Sequence, residues 1–422
     1  MNPELKNEIK KNSQITKFGW YGLLKNLRFF EPYLLIYLLA DGVTFTQIGL
    51  LMAIREIIIY VFEIPSGIIA DKFGKKKEML LCFSFYILSF IFFFIQGDFI
   101  IYLIAMVFYG LGDAFRTGTH KAMIMQYLQE KNWGEHKSFV YGRTRSFSMI
   151  GSAISSILSV LMVIFLPGLR WVFLLCILPY IADFILILSY PNSLDQTEDG
   201  SKAKFSLNLF WTEIQRSLKT AFAHPTLRTL IFNSSSFQGT VKSIKDYVQP
   251  LLVTAITVGF VISDDITIKI ILGVFYSVMN LINSAASRNA YQFSDRFGIR
   301  HMLNGTFIVL GISILLTGLA SYANIVILIM LLYILINTAS NIRRPLLVGS
   351  LSDNIKPDLR ASVLSIESQV TSIFTAIGAF LIGFSVDRIG LSTTFLILGI
   401  FLILAQFIVA IKDKKPNLNQ QV

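Results

Sequence analysis

The sequence predicts an all-α integral membrane protein: twelve transmembrane helices arranged as two pseudo-symmetric halves of six. Three observations carry this: the quantity of apolar residues, their division into runs of membrane-crossing length, and an internal repeat. Of 422 residues, 54% are hydrophobic, 15% are charged and 36 are phenylalanine, with a mean hydropathy of +0.62. Soluble domains do not carry so much apolar surface. A net charge of +11 would suit nucleic acid if the basic residues shared one polar face. They fall instead in short loops between apolar runs, so membrane topology accounts for them and no nucleic-acid partner is expected.

Apolar runs of about 20 residues, enough to cross a hydrocarbon core of about 30 Å, recur near residues 17–40, 46–70, 78–96, 99–124, 143–166, 171–190, 227–252, 268–292, 301–321, 325–350, 361–386 and 391–411. With the N-terminus placed inside, the inner loops and tails gather Lys6, Lys10, Lys11, Lys72, Lys75, Lys76, Lys77, Lys131, Lys137, Arg296, Arg300, Lys356, Lys412 and others. The outer loops hold little beyond Arg170, Lys269 and Arg388. That asymmetry predicts a multi-pass protein of the inner (cytoplasmic) membrane with both termini cytosolic. Residues 1–17 are polar, with no apolar core and cleavage site, so the first helix is expected to insert uncleaved. The longest polar segment separates the sixth and seventh runs and divides the chain into a half at 1–190, a linker at 191–226 and a half at 227–422. Within the linker, Leu209, Phe210, Ile214, Leu218 and Phe222 recur at helical spacing. They predict an amphipathic surface helix over 206–223, with a disordered linker as the alternative.

The loop after the second run is the most distinctive stretch. Gly67, Asp71 and Gly74 are followed by Lys75, Lys76 and Lys77. Gly67 would let two helices touch, Asp71 would cap a facing helix N-terminus, and Gly74 would turn the chain. Asp71, Phe73 and Gly74 recur, at one constant shift, as Asp295, Phe297 and Gly298 after the eighth run, although Tyr291 stands where Gly67 would. Glu31 and Pro32 recur as Gln249 and Pro250, and Arg116 has a counterpart in Arg343. This combination resembles the major facilitator superfamily. The resemblance implies two parallel six-helix halves with substrate between them near mid-membrane. It also implies a gating role for Gly67, Asp71, Gly74, Asp295 and Gly298 on the cytosolic side, with Asp71 acting on the eleventh helix near Ala361. Within the family, the look of the first two helices is similar to bacterial exporters.

Charges inside the runs carry the functional signal, because each costs about 2.5–3.5 kcal/mol at mid-membrane unless paired or wet. Arg28 and Glu31 lie three apart beside Pro32, and the seventh run holds Lys242, Lys245, Asp246 and Gln249 within an arc of roughly 100°. Both helices are expected to wall a substrate cavity; the alternative is pairing within each helix, Arg28 with Glu31 and Lys242 with Asp246. Asp113, Arg116 and His120 form one stripe of the fourth run. The resemblance links a basic residue of this helix to proton transfer, and Arg116 is the matching position. Glu56 and Glu63 share a face of the second run from which Arg55 points away, and Tyr276, Asn280, Asn283 and Ser287 form a polar stripe on the eighth. Arg343, Arg344 and Glu367 lie where cytosolic gating pairs would sit. The cations Arg28, Arg116, Lys242 and Lys245 outnumber the acids Glu31, Asp113 and Asp246, which predicts an anionic or zwitterionic ligand. Glu31 is the first candidate for proton coupling, then Asp113 and Glu56.

No metalloprotease, nucleophile-elbow or phosphate-loop motif is present, so neither enzymatic chemistry nor ATP drive is expected. Cys82 and Cys176 lie inside apolar runs, and the four histidines are scattered, which argues against a metal; no cofactor is expected. The fifth run has Gly151, Ser152, Ser155 and Ser156 for close packing but lacks the glycine-proline pattern of drug and proton antiporters. The expected function is secondary active transport of a small organic solute by alternating access, with proton coupling, as a monomer. A drug-like or anionic or zwitterionic metabolite for export is the expected cargo. The alternative is a sensor or assembly factor that keeps the fold and has lost transport.

Overall fold

A computed structural model describes residues 3–195, 225–288, 298–353 and 360–411. All regular structure among them is helical. In chain order the first half runs α1 (Pro3–Lys11), α2 (Ser13–Leu24), α3 (Leu34–Ala40), α4 (Phe45–Phe73), α5 (Lys75–Ile95), α6 (Phe99–Arg116), α7 (Thr119–Glu130), α8 (Lys137–Phe165) and α9 (Arg170–Leu188). The second half runs α10 (Pro225–Ile244), α11 (Val248–Gly259), α12 (Asp265–Arg288), α13 (Ile299–Tyr322), α14 (Val326–Asp353), α15 (Arg360–Ile389) and α16 (Leu391–Val409). Ten stretches among the described residues are long and apolar enough to cross a membrane. The first and seventh expected spans are interrupted pairs, α2 with α3 and α10 with α11. The fourth is broken between α6 and α7 at Gly118, whose φ is +88°. The helix expected over 206–223 and Asp295 lie outside the described residues, as does the side chain of Asp71.

Local chemistry explains the element ends. Thr44 caps α4 through the Gln47 N–H at 3.2 Å, and the Gln47 side chain accepts from the Thr44 N–H at 3.0 Å, a reciprocal cap. Gly74 joins α4 to α5 with φ at +104°, as its expected turning role requires. A side chain there would also collide with the Asp195 carboxylate, which accepts the Lys76 N–H at 3.0 Å and clamps the hairpin. Gly151 presses on the backbone of Leu23, so the small residues of the fifth span serve close packing. The helices almost free of internal charge, α5, α13 and α16, turn residues such as Ile91, Ile312 and Phe401 outward, as lipid-facing helices do.

The halves meet most extensively where α4 crosses α15, and again where α8 packs on α12. The crossing is tight at the end of the bundle remote from the termini. There a Cβ at Gly49 would strike the Ala379 carbonyl, and one at Gly383 would strike the carbonyl of Phe45. At the other end of α4, no atom of the described residues lies within 4 Å of where a Cβ on Gly67 would stand, so among them the close helix contact expected at Gly67 is not made. The α4–α15 crossing is thus closed at its distal end, and the lining of the central cavity runs from Ala379 to Glu63, Thr117 and Ser368 on the side of the termini.

Candidate functional site: a charged cavity between the halves

The two interruptions create the site. Residues 25–33, between α2 and α3, leave regular helix, and they face the short 3-10 turn Lys245–Tyr247 between α10 and α11. Around these breaks lies a cavity of about 280 Å³, lined by Arg28, Arg55, Glu56, Glu63, Asp113, Arg116, Lys242, Lys245 and Asp246. A narrower lobe of about 30 Å³ continues to Glu31 and Tyr109. The intrahelical pair expected in the first span does form, Arg28 to Glu31 at 3.3 Å, but across a non-helical turn.

Asp113 is the best-satisfied group in the cavity wall. One carboxylate oxygen accepts from Nε of Arg55 at 3.0 Å and from Nη2 of the same guanidinium. The other accepts from the Tyr86 hydroxyl at 2.6 Å and from Arg116 at 3.3 Å, and Arg116 also donates to the Tyr86 oxygen at 3.0 Å. The Arg55 guanidinium lies 4.9 Å over the Tyr109 ring. A buried carboxylate held by two guanidiniums and a phenol is the arrangement that makes a low-dielectric charge tolerable. Arg55 and Tyr86 were not expected here. Spacing along α4 says only that Arg55 lies off the Glu56 face, and it takes the packing of α6 against that side to turn it into the partner of Asp113.

At the cavity, Lys242 and Gln249 of the second half reach across to the first. Lys242 donates to Glu56 at 3.3 Å, so the expected pairing of Lys242 with Asp246 is replaced by one to the opposite half, and Asp246 is met by Lys245 at 3.8 Å. Gln249 accepts from the N–H groups of Leu35 at 2.8 Å and Ile36 at 3.3 Å, which the break before α3 leaves without helical partners. Its amide donates to the Glu31 carbonyl at 2.9 Å and the Tyr276 hydroxyl at 3.1 Å. An amide side chain has two donors and a carbonyl with two lone pairs. All are used, so Gln249 staples the halves and offers no free group to a substrate.

Other expected site residues lie elsewhere. His120 lies away from the cavity, stacked on Tyr21 at 3.6 Å between ring centroids and within 3.2 Å of the Tyr190 hydroxyl. Asn280 donates to Ser156 at 3.0 Å and lines a separate crevice between α8 and α12. Arg344 pairs with Glu367 at 2.9 Å, but this joins α14 to α15 within one half and bars no passage between halves. Arg343 is buried, and among the described residues its partners are neutral: it donates to the carbonyls of Leu303 and Asn233, to the Asn233 side chain and to Thr306. Gly298 starts α13 with φ at +75°. The expected surplus of positive charge also disappears. Arg55, Glu56 and Glu63 join the lining, giving the two lobes five cations (Arg28, Arg55, Arg116, Lys242, Lys245) against five acids (Glu31, Glu56, Glu63, Asp113, Asp246).

The sequence profile described as Major Facilitator Superfamily matches residues 26–289 and 269–421. The uncharacterised MFS-type transporter YxaM of Bacillus subtilis (strain 168) is 28% identical over 224 residues, 53% of this chain and only 54% of that transporter's length. The uncharacterised MFS-type transporter MJ1560 of Methanocaldococcus jannaschii is 22% identical over 403 residues, 95% of this chain and 98% of its own. A variant of the nucleoside transporter NupG superposes with a TM-score of 0.80 at 13% identity, over 94% of this chain and 98% of the other. A D-xylose-proton symporter superposes with a TM-score of 0.69 at 13% identity, over 94% and 96%. At that identity the structural likeness speaks for the fold. The profile spans nearly the whole chain, and the repeat, the apolar helices and the central cavity agree with it: the protein is a multi-pass membrane transporter of the major facilitator superfamily.

Proposed function

We propose that the protein carries a small polar solute bearing both positive and negative charge, by proton-coupled alternating access. The observation that supports this reading most is the near-balanced lining of a cavity of only about 280 Å³, five cations against four acids, with Glu31 as the fifth acid in the adjoining lobe. A lipophilic drug needs a larger, mainly apolar pocket, whereas a compact zwitterion exchanges its hydration for paired contacts on opposite walls. Arg28, Arg116, Lys245 and Asp246 are the groups we assign to substrate. The structural neighbours named for a nucleoside and for D-xylose with a proton likewise favour a small polar cargo. With the exporter-like look of the first two helices, the reading is export of a small zwitterionic metabolite.

For coupling we place Glu56 ahead of Glu31. Glu56 is buried and accepts from Lys242 of the opposite half, so a proton on Glu56 cancels an attraction between the halves. Glu31 is paired within its own segment, where a proton changes less. Asp113, held by two arginines, keeps the site in shape. We place the termini in the cytosol of the inner membrane and the working unit as a monomer.

Reconstituted protein in proteoliposomes tests the reading. Under an imposed pH gradient, radiolabelled zwitterionic amino acids should accumulate, while tetraphenylphosphonium should neither accumulate nor compete. Competition by tetraphenylphosphonium above that of every zwitterion sinks the substrate assignment. Absence of flux for the whole panel favours the non-transporting alternative. A cysteine replacing exposed Lys77 should react with an impermeant thiol reagent only after the cytosolic face is opened; labelling in intact cells overturns the orientation.

A further inference from the structure

The spacing Gly-x-x-x-Asp-x-x-Gly, which marks Gly67, Asp71 and Gly74 at the end of α4, occurs again at the end of α15 as Gly383, Asp387 and Gly390. This copy is not the one related by the repeat of halves. It lies at the opposite face of the bundle, on the helix that runs antiparallel to α4 and crosses it. There every element of the pattern has a visible use. Gly383 lets the α15 backbone touch Phe45 and Gly49 of α4. Asp387 accepts from the N–H of Phe45 at 3.2 Å, the N–H of Thr46 at 2.7 Å and the Thr46 hydroxyl at 2.6 Å. Gly390, with φ at +83°, turns the chain into α16.

Helix physics makes the position of Asp387 informative. An acid in the last turn of a helix meets the negative end of that helix's own dipole and is disfavoured there. Asp387 is compensated from the start of α4, by the Thr46 hydroxyl and by the first N–H groups, which have no partner within their own helix. The Thr44 cap already serves Gln47. The remaining donors of the first turn, Phe45 and Thr46, are thus satisfied from the other half of the protein. Asp71 sits in the last turn of α4 under the same local disadvantage.

We propose that Gly383, Asp387 and Gly390 form a latch for the distal face, and that Asp387 and Asp71 work alternately. With the distal end closed, Asp387 holds the N-terminus of α4 while Gly67 stands clear. When the other end closes, Asp387 releases and Asp71 takes the N-terminus of α15, which begins at Arg360. One antiparallel helix pair therefore carries both latches, and each state of the transporter is held by the acid that the other state frees. This rests on the alternating-access reading above.

The test is a pair of spin-label distance measurements on the full chain in lipid nanodiscs. Labels at Ile100→Cys and Ala323→Cys report the distal end; labels at Lys131→Cys and His301→Cys report the end with the termini. The native Cys82 and Cys176 are buried. Asp387→Asn, which keeps an acceptor but removes the charge at the N-terminus of α4, should raise the ratio of distal-open to distal-closed molecules about threefold, and shorten the other pair. Thr46→Val, which removes one donor, should shift both distributions the same way by less. Asp71→Asn should shift them in the opposite direction. Unchanged distributions in Asp387→Asn overturn the latch. If that variant does not insert, Thr46→Val decides in the same manner. A distance shift in protein that moves no tested solute leaves the latch standing and removes the transport reading, whereas flux without any shift removes the latch.

Discussion

Arg116 and Arg343 occupy corresponding positions in the two halves, and their surroundings have nothing in common. Arg116 looks into the cavity, shares Asp113 with Arg55 and rests on Tyr86. Arg343 is buried, lies 4.4 Å from the Phe237 ring, and spends its donors on neutral oxygens of α10 and α13. One position thus became part of a wet, charge-balanced site, and the other became a tie that fastens three helices. The repeat conserves where a cation sits along its helix, but what that cation does depends on whether a carboxylate faces it from the next helix. Asp113 does so for Arg116; Glu367, the acid of the corresponding region, is taken by Arg344 and Ser234.

Stability separates the two arginines most sharply. Arg343→Met strands the Leu303 and Asn233 carbonyls in the interior, and the expected loss is about 2–4 kcal/mol, read as a lowered unfolding midpoint in detergent. Arg116→Met leaves Asp113 with Arg55 and Tyr86, and because the Arg116 side chain is 24% exposed the expected loss is smaller, about 1–2 kcal/mol. Equal midpoints for the two variants would erase the distinction. Transport should invert the order of importance. Asp113→Asn leaves Arg55 and Arg116 without their shared anion, and flux should fall about 100-fold or more, since truncating one partner of a buried charge network commonly costs that much. Retention of wild-type flux in Asp113→Asn would make the cluster a packing device like Arg343.

The fold was legible in the sequence because membrane insertion writes itself in simple terms: run length, lysine placement and a repeat. The breaks were less so. Pro32 and Pro250 advertised irregular helices, yet the interruption at 25–33 and the turn Lys245–Tyr247 owe their geometry to each other through Gln249. At the site, periodicity located Arg28, Glu31, Asp113, Arg116, Lys242, Lys245 and Asp246 around one cavity: Asp113, Arg116 and Lys242 line it from their helices, and the other four line it from the two breaks, which keep them on the inner side. It misassigned partners wherever the partner was on another helix, as with Lys242 and Glu56 or Arg55 and Asp113. His120 shared the arc of Asp113 and Arg116 but sits beyond the break at Gly118, where the helical register no longer carries over. The distal copy of the glycine and aspartate pattern was present in the sequence all along. It escapes a search for repeats between halves because it relates two antiparallel helices and not two parallel halves.

A charge pair that joins the halves should respond differently from one that lies within a half, and the smallest effect belongs to the latter. Glu56→Gln removes the acceptor of Lys242 and keeps a neutral side chain of the same shape. It should abolish accumulation driven by a pH gradient while exchange of labelled for unlabelled substrate continues, because exchange requires no net proton movement. Glu31→Gln disturbs a pair confined to residues 28–31, whose acid is partly exposed. An exposed pair of this kind is worth about 1 kcal/mol or less, so affinity should weaken by roughly fivefold at most, with gradient-driven accumulation retained. The two measurements are made on the same vesicles, and their pattern matters more than either value. If Glu31→Gln uncouples and Glu56→Gln does not, the proton is carried at the broken first helix, and the Lys242–Glu56 contact is a passive strut like Gln249.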